Sequence, residues 1–413
     1  MAKPDFWKTN HGHEPRTQAL ENDSETCVEV RPPLGDCVAI GFCSCEREIV
    51  GHVTPRGETN IAGSGDPAYI ALPPLDIVTQ FLGGIVQLAN SDTSQMTFRL
   101  LRYRNWSFTN KRYYDLKSYW QNMFGCNVHK ISIDAGFTCP NRNGHIAVGG
   151  CIYCDGRGSK LRQKGELPSV ASQIVSGKKY YSAQASKYIA YFQTFTNTYA
   201  QVEKLQAIYD EALDQEDIVG LSIGTRPDCL GLDVIELLEG YAKKYHVWVE
   251  LGLQSISDRT LQLLNRGHNF QQFFEAVKAM EGTGINICVH IIIGLPGESD
   301  EDVLATARAL ATLPIHGIKI HSMLALEGTV LGEMYKKGDV KMITKENYVS
   351  LVCDVLEILP PRIVIQRLTA DGYRDIFLAP DWAKNKLDVL NSINKELERR
   401  DSYQGQCYIK NKG

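Results

Sequence analysis

Three cysteines on one short stretch carry the strongest chemical signal in the sequence. Cys139, Cys151 and Cys154 form a C-x11-C-x2-C arrangement inside a run rich in Gly, Asn and Arg, which reads as a solvent-facing loop and not as core. Three thiolates on one loop are the number needed to hold three irons of a cubane iron–sulfur cluster while the fourth iron stays open to a substrate or cofactor. A closed tetrahedral zinc site would satisfy the same thiolates, with His145 or Cys126 as fourth ligand, and both readings stand at this point. Other cysteines carry less. Cys288 and Cys353 sit in apolar patterns and are expected in the core, and the group Cys27, Cys37, Cys43 and Cys45 lacks the paired C-x-x-C knuckles of a zinc ribbon. Gly156-Arg157-Gly158-Ser159-Lys160 lacks the spacing of a phosphate-binding loop and is expected to be a turn.

Such a loop needs a scaffold, and the sequence beyond Tyr113 supplies one. Short β-branched runs alternate there with longer stretches of helical period, the signature of βα units around a parallel sheet. Strands are expected at His129 to Asp134, Tyr188 to Phe195, Ile218 to Gly224, Val247 to Leu253, Ile285 to Ile293, Gly317 to Met323 and Ile363 to Leu368. Helices are expected at Val202 to Leu213, Asp233 to Tyr245, Phe270 to Met280, Asp300 to Leu313 and Lys345 to Leu359. Ser299 is placed to cap the helix opened by Asp300, Glu301 and Asp302, and Pro314 ends it. Runs such as Ile291-Ile292-Ile293 suit parallel strands buried on both faces. In barrels of this kind chemistry sits at the C-terminal strand ends. The residues there are Cys139, Gln193 and Thr194, Ser222 to Asp228, Gln254 and Ser255, Gly294 to Glu298, and His321. Near the C-terminus Trp382, Leu387, Leu390, Ile393 and Leu397 recur at helical spacing, giving an amphipathic helix expected to pack on the barrel.

Composition narrows the function classes. The chain has 413 residues, 43% hydrophobic and 22% charged, with a net charge of −4. Residues 1 to 105 hold 9 Lys+Arg against 13 Asp+Glu, and the remainder holds 35 of each. With no basic block, bulk DNA binding is not expected. Half of the 16 prolines precede residue 106, in a stretch without lasting periodicity. Residues 1 to 105 are therefore expected to form a poorly ordered N-terminal extension, or to follow from a start codon assigned too early. The opening residues lack the apolar core of a signal peptide, and 12 cysteines are too few for a disulfide scaffold, so the expected compartment is the cytoplasm. The apolar stretch Ile70 to Ala89 is broken by Pro73, Pro74, Asp76 and Gln80, and no membrane role is expected.

From Lys111 to about Gln406 the chain resembles the radical S-adenosylmethionine (radical SAM) superfamily, in its YhcC-like branch related to Elongator-protein-3-like enzymes. The resemblance rests on the cysteine loop, on Leu221 to Asp228, Glu250 to Ser255 and His290 to Glu298, and on Gln366 to Gly372. It implies an α/β fold, a partial (βα)6 TIM-type barrel at 106–375, followed by a C-terminal helix and tail at 376–413. It also implies that Cys139, Cys151 and Cys154 ligate a 4Fe-4S cluster whose open iron chelates S-adenosylmethionine. Reductive cleavage then yields a 5′-deoxyadenosyl radical that abstracts hydrogen from a substrate. Tyr153 would pack on adenine, Gln254 and Ser255 would meet ribose and carboxylate, Arg226 would pair with a carboxylate, and Gly294 and Glu298 would belong to the adenine-side loop. The superfamily's usual Gly-Gly-Glu-like motif is replaced by Tyr191-Phe192-Gln193-Thr194-Phe195, which leaves Gln193 or Thr194 as acceptors for the amino group. An external electron donor of the flavodoxin or ferredoxin class is implied. The substrate, whether small molecule, peptide or RNA, is not named by the sequence. The rival readings are a zinc-stabilised binding protein and a tRNA-modifying member of the same superfamily.

Overall fold

The computed structural model describes residues 109–156, 167–372 and 374–408, together with two short strands near the N-terminus. The chain divides into two compact units, Met1–Leu75 and Asp76–Gly413. Within the first, strands β1 (Val28–Val30) and β2 (Val38–Ile40) pair antiparallel. The remainder of the expected extension, with Cys27, Cys37, Cys43 and Cys45, lies outside the described residues, as do Lys160, Arg162 and Lys164.

The second unit is built on one parallel sheet. Its strands are β3 (Val128–Ile133), β4 (Lys187–Phe192), β5 (Ile218–Thr225), β6 (His246–Gln254), β7 (Asn286–Ile293), β8 (Gly317–Ser322) and β10 (Val364–Arg367). They form a seven-stranded half-barrel in the order β3-β4-β5-β6-β7-β8-β10, all neighbours parallel. The last of the seven expected strands, Ile363 to Leu368, is the one that pairs at the β8 edge. A small antiparallel pair, β9 (Ala325–Leu326) with β11 (Phe377–Ala379), lies apart from it.

Every expected strand is present, shifted by no more than a few residues, because apolar β-branched runs gain most by burial on both faces. Ile133, Ile189, Phe192, Leu221, Ile223, Val249, Leu251, Ile287, Val289, Ile293, Ile318 and Ile320 are all 0% exposed. Helices cover the outer face. They are α1 (Leu116–Phe124), α2 (Val170–Tyr181), α3 (Val202–Leu213), α4 (Leu232–Ala242), α5 (Asp258–Leu263), α6 (Phe270–Ala279), α7 (Asp300–Thr312), α8 (Val330–Lys337), α9 (Lys345–Ile358) and α10 (Lys386–Arg399). The Ser299 cap forms as a full capping box: its hydroxyl accepts from Asp302 N–H, and the Asp302 carboxylate accepts from Ser299 N–H.

Helix α1 closes the floor. Trp120 packs there with Ile189, Trp248, Cys288 and Val364, and Ile365 N–H donates to Tyr114 O at 2.8 Å, tying the segment before α1 to edge strand β10. Helix α10 packs on α9, as its amphipathic pattern implied. Its buried stripe is Val389, Ile393 and Leu397, whereas Leu387 is 67% exposed and Trp382 lies in the turn before the helix. The correction follows from geometry: 389, 393 and 397 are spaced by four and share one face, while 387 falls on the other side.

Candidate active site at the mouth of the half-barrel

The cysteine loop leaves the C-terminal end of β3 and is shaped by its own backbone. Arg142 N–H and Asn143 N–H both donate to Cys139 O, at 2.9 and 3.2 Å, and Cys154 N–H donates to Cys151 O at 2.9 Å. Gly149 and Gly150 adopt φ of +85° and +86°, open to residues without a side chain at little cost. The Arg142 side chain runs over the space a Cβ at Gly150 would fill, and its Nη1 donates to Gly149 O at 3.0 Å and approaches Cys154 Sγ at 3.6 Å.

Two further residues grip the middle cysteine. Asn141 Nδ2 donates to Asn265 O at 2.5 Å and lies 3.6 Å from Cys151 Sγ, while Arg266 Nη1 lies 3.2 Å from the same sulfur. Arg266 also donates to Gly252 O, so the guanidinium is fixed between β6 and the loop. Burial opposes the Cys151 thiolate, but Arg266, with Arg226 behind it, outweighs burial and holds the thiol below its ordinary range. Cys154 goes the other way, pushed up chiefly by burial.

All three cysteines line one cavity of about 510 Å³, together with Tyr153, Gln193, Arg226 and Gln254. Arg226 is 3% exposed. Its expected carboxylate partner is met inside the chain: Nε and Nη2 donate to the two Asp228 oxygens at 2.9 and 2.8 Å, leaving Nη1 buried without a partner. Gln254 holds φ at +81° and Phe195, also on the wall, at +63°. Non-glycine residues in this region are uncommon and gather where a site demands a particular backbone.

The other expected residues lie elsewhere. Thr194 is fully buried, its hydroxyl without a partner, and is not on the cavity wall. Ser255 donates to Glu298, whose carboxyl is pushed up by burial. Gly294 and Glu298 line a separate cavity of about 310 Å³ beside the start of α7. Neither Cys126 nor His145, the zinc-site candidates, lines the cysteine cavity. Among the described residues no three His, Cys, Asp or Glu side chains are arranged to hold a single metal ion. A cubane spreads its thiolates around a wider body, and the donor set of three thiolates facing one cavity fits it.

Beneath the loop lies a buried charged group to which the sequence reading assigns no role, although Ser222, Glu250 and His290 fall within segments it names. Glu250, with its side chain fully buried, receives Lys130 Nζ at 2.7 Å, Ser222 Oγ at 2.6 Å, Tyr191 OH at 2.9 Å, and Lys319 Nζ. His290 Nε2 lies 2.9 Å from its Oε2. Burial alone would raise this carboxyl, but the two lysines hold it well below the usual carboxylate range. Burial pushes Lys130 down to about 8 and His290 down to about 4. A signal existed at two of them: Glu250 and His290 interrupt runs that are otherwise apolar, whereas Lys130 and Lys319 lie among other polar strand residues.

Comparison with known proteins agrees with this geometry. The radical SAM superfamily profile matches residues 139–310, and the radical SAM C-terminal domain profile matches residues 315–399. The chain is 43% identical over 305 residues to Bacillus subtilis YtqA, a match covering 73% of this chain and 95% of YtqA. It is 36% identical over 275 residues to YhcC of Escherichia coli K12, covering 66% and 88%. Among solved structures, Methanocaldococcus infernus Elp3 superposes with a TM-score of 0.51 at 19% identity, over 67% of this chain and 64% of that one, a likeness of fold. No helix among the described residues is long and apolar enough to cross a membrane. With its cysteine loop, half-barrel and near full-length relatives in agreement, the chain belongs to the radical SAM superfamily, in the branch that holds YtqA and YhcC.

Proposed function

We propose that this protein is a radical SAM enzyme in which Cys139, Cys151 and Cys154 hold a 4Fe-4S cluster and the cavity beside them binds S-adenosylmethionine. The observation that carries the reading is that one cavity gathers those three thiols with Gln193, Arg226 and Gln254, the last in a strained backbone conformation. When bound, the two groups supply an electron and a hydrogen-abstracting 5′-deoxyadenosyl radical, chemistry that belongs to the cofactors.

The chain's own part is positioning. Arg266 and Asn141 orient Cys151 and favour its thiolate. The unpartnered Nη1 of Arg226 is the donor available to the methionine carboxylate, and Gln193 supplies an acceptor for the amino group where the family motif is missing. Tyr153, between the two closely spaced cysteines, lies 3.5 Å from Arg266 Nη1 through its hydroxyl and offers its ring to adenine. Glu298, bonded to Ser255, acts at most through the separate cavity at the start of α7. An external electron donor of the flavodoxin or ferredoxin class is required, for which dithionite substitutes in vitro.

The test is anaerobic reconstitution with iron and sulfide, followed by addition of S-adenosylmethionine and dithionite. The expected result is the thiolate-to-iron absorbance of a 4Fe-4S cluster and release of 5′-deoxyadenosine. A chain that instead retains one zinc per molecule and no iron would sustain the zinc-stabilised binding protein in its place.

A further inference from the structure

Two cavities meet inside the half-barrel. Tyr191, Gln193, Lys319 and Arg367 line both the cysteine cavity and a second one of about 520 Å³, whose wall also takes residues of α1 and of the two sheet edges β3 and β10. Among the described residues, the lining of this second cavity includes the cations Lys117, Lys130, Lys319 and Arg367 and no carboxylate.

Its charges do not balance. Lys130 and Lys319 share the single carboxylate of Glu250, and their ammonium groups stand 5.0 and 4.5 Å from the centre of the same Tyr191 ring. A buried pair kept only for structure gains most from one cation per anion, since each unmatched buried charge pays its full desolvation cost. Glu250 is saturated by its donors, so it has no further lone pair to give. Lys319 donates to Glu250 and Tyr191, which leaves one of its three N–H groups unspent. Gln366 Oε1 accepts from Lys130 at 2.7 Å, while its Nε2 is buried and has no partner among the described residues. Arg367 spends its guanidinium on a single half-exposed ion pair with Asp371 at 3.0 Å. One Lys319 N–H, the part of the Arg367 guanidinium that Asp371 does not engage, and Gln366 Nε2 thus share one pocket.

Resting on the assignment of the adjoining cavity to S-adenosylmethionine, the geometry points to a small anionic substrate, carrying a carboxylate or a phosphate monoester, that enters between β3 and β10. Its anionic group is held by Lys319, Gln366 Nε2 and Arg367, with Lys130 and Glu250 setting the position of Lys319. The uncharged part of the molecule then extends past Tyr191 towards the cysteine loop, where hydrogen abstraction would occur.

The position of Lys130 adds a pH signature. With burial holding it near 8, it loses its proton, and the pocket loses a positive charge, as pH rises from 7 to 9. Lys319 faces it as a fellow cation, and Ser222 and Gln366 as neutral partners. Glu250, held low, His246 and His290, near 4, and Cys288, near 12, keep one protonation state over that range, as does Tyr191, held well above its ordinary value. Anion affinity is therefore expected to fall with rising pH.

The experiment is calorimetric titration of the full chain, without added cofactor, using sulfate as the tetrahedral probe and succinate as the carboxylate probe, neither of which titrates between pH 7 and 9. One of the two is expected to bind, the tighter one identifying the group, with affinity falling about tenfold in Lys319→Met and falling in the unaltered chain as pH rises from 7 to 9. The pH dependence in the unaltered chain is independent of any variant, and circular dichroism of Lys319→Met separates lost anion recognition from lost fold. Binding that persists in Cys151→Ala keeps the inference independent of the cluster assignment. Failure of both probes to bind, equal affinity in Lys319→Met, or binding of unfractionated tRNA alone would overturn it.

Discussion

The cysteine loop and the charged network beneath it are a few side chains apart, yet they are specified in opposite ways. The loop is local: residues 139 to 154 bring three thiols, the glycines that bend the chain and the arginine that covers them. The network is assembled from Lys130 on β3, Tyr191 on β4, Ser222 on β5, Glu250 on β6, His290 on β7 and Lys319 on β8, residues that share nothing in the sequence. A local device can be lost at one position with the barrel standing. A distributed one fails together with the packing that aligns its strands.

The sharpest break in that comparison is in the loop. Cys139→Ala, Cys151→Ala and Cys154→Ala are each expected to abolish cluster binding with little change in melting temperature, whereas Cys126→Ala, Cys229→Ala and Cys288→Ala keep wild-type iron content. Iron analysis after anaerobic reconstitution checks this, and an intact cluster in Cys151→Ala would refute the assignment. The network should behave inversely. Glu250→Leu leaves two buried lysines without a counter-charge and is expected to cost about 3–5 kcal/mol in urea unfolding. A loss below about 1 kcal/mol would mean that the network is hydrated and not part of the fold.

A smaller effect is expected at Gly150. Alanine there must hold φ at +86°, at about 1–2 kcal/mol, and its Cβ would come within 2.8 Å of Arg142 Nη1. Because that neighbour is the end of a flexible side chain, the loop yields and the barrel does not. Iron should be lost faster on chelation while the melting temperature moves by only a few degrees. The smallest effect is expected from deleting residues 1 to 105: YtqA matches over 95% of its own length yet only 73% of this chain. That truncation should stay soluble and cleave S-adenosylmethionine, and insolubility beside a soluble full chain would contradict it.

Much of the scaffold was legible because its signals are short-range. The triple isoleucine at 291 to 293 lies on β7, Ser299 caps α7, and helix α3 occupies Val202–Leu213 as its periodicity implied. The short helices α1, α5 and α8 were passed over, since six to nine residues offer too few turns for a period to register, and so was the 12-residue α2, which buries only Val170 and Ile174. At the site, Cys139, Cys151, Cys154, Tyr153, Gln193, Arg226 and Gln254 share one cavity, while Thr194, Ser255, Gly294 and Glu298 do not line it. A residue's place after a strand decides its height above the sheet. It does not decide which way the side chain turns.

By itself, then, the amino-acid order determined where strands and helices form and that three thiols sit on one bent loop, because periodicity, capping and glycine placement act over a few residues. Only the tertiary structure decided that Arg266 meets Cys151, that Arg226 spends itself on Asp228, and that two lysines 189 positions apart share Glu250. Those pairings depend on strand register and on the curvature of the sheet, and register is set by the sum of all packing contacts and by no single segment.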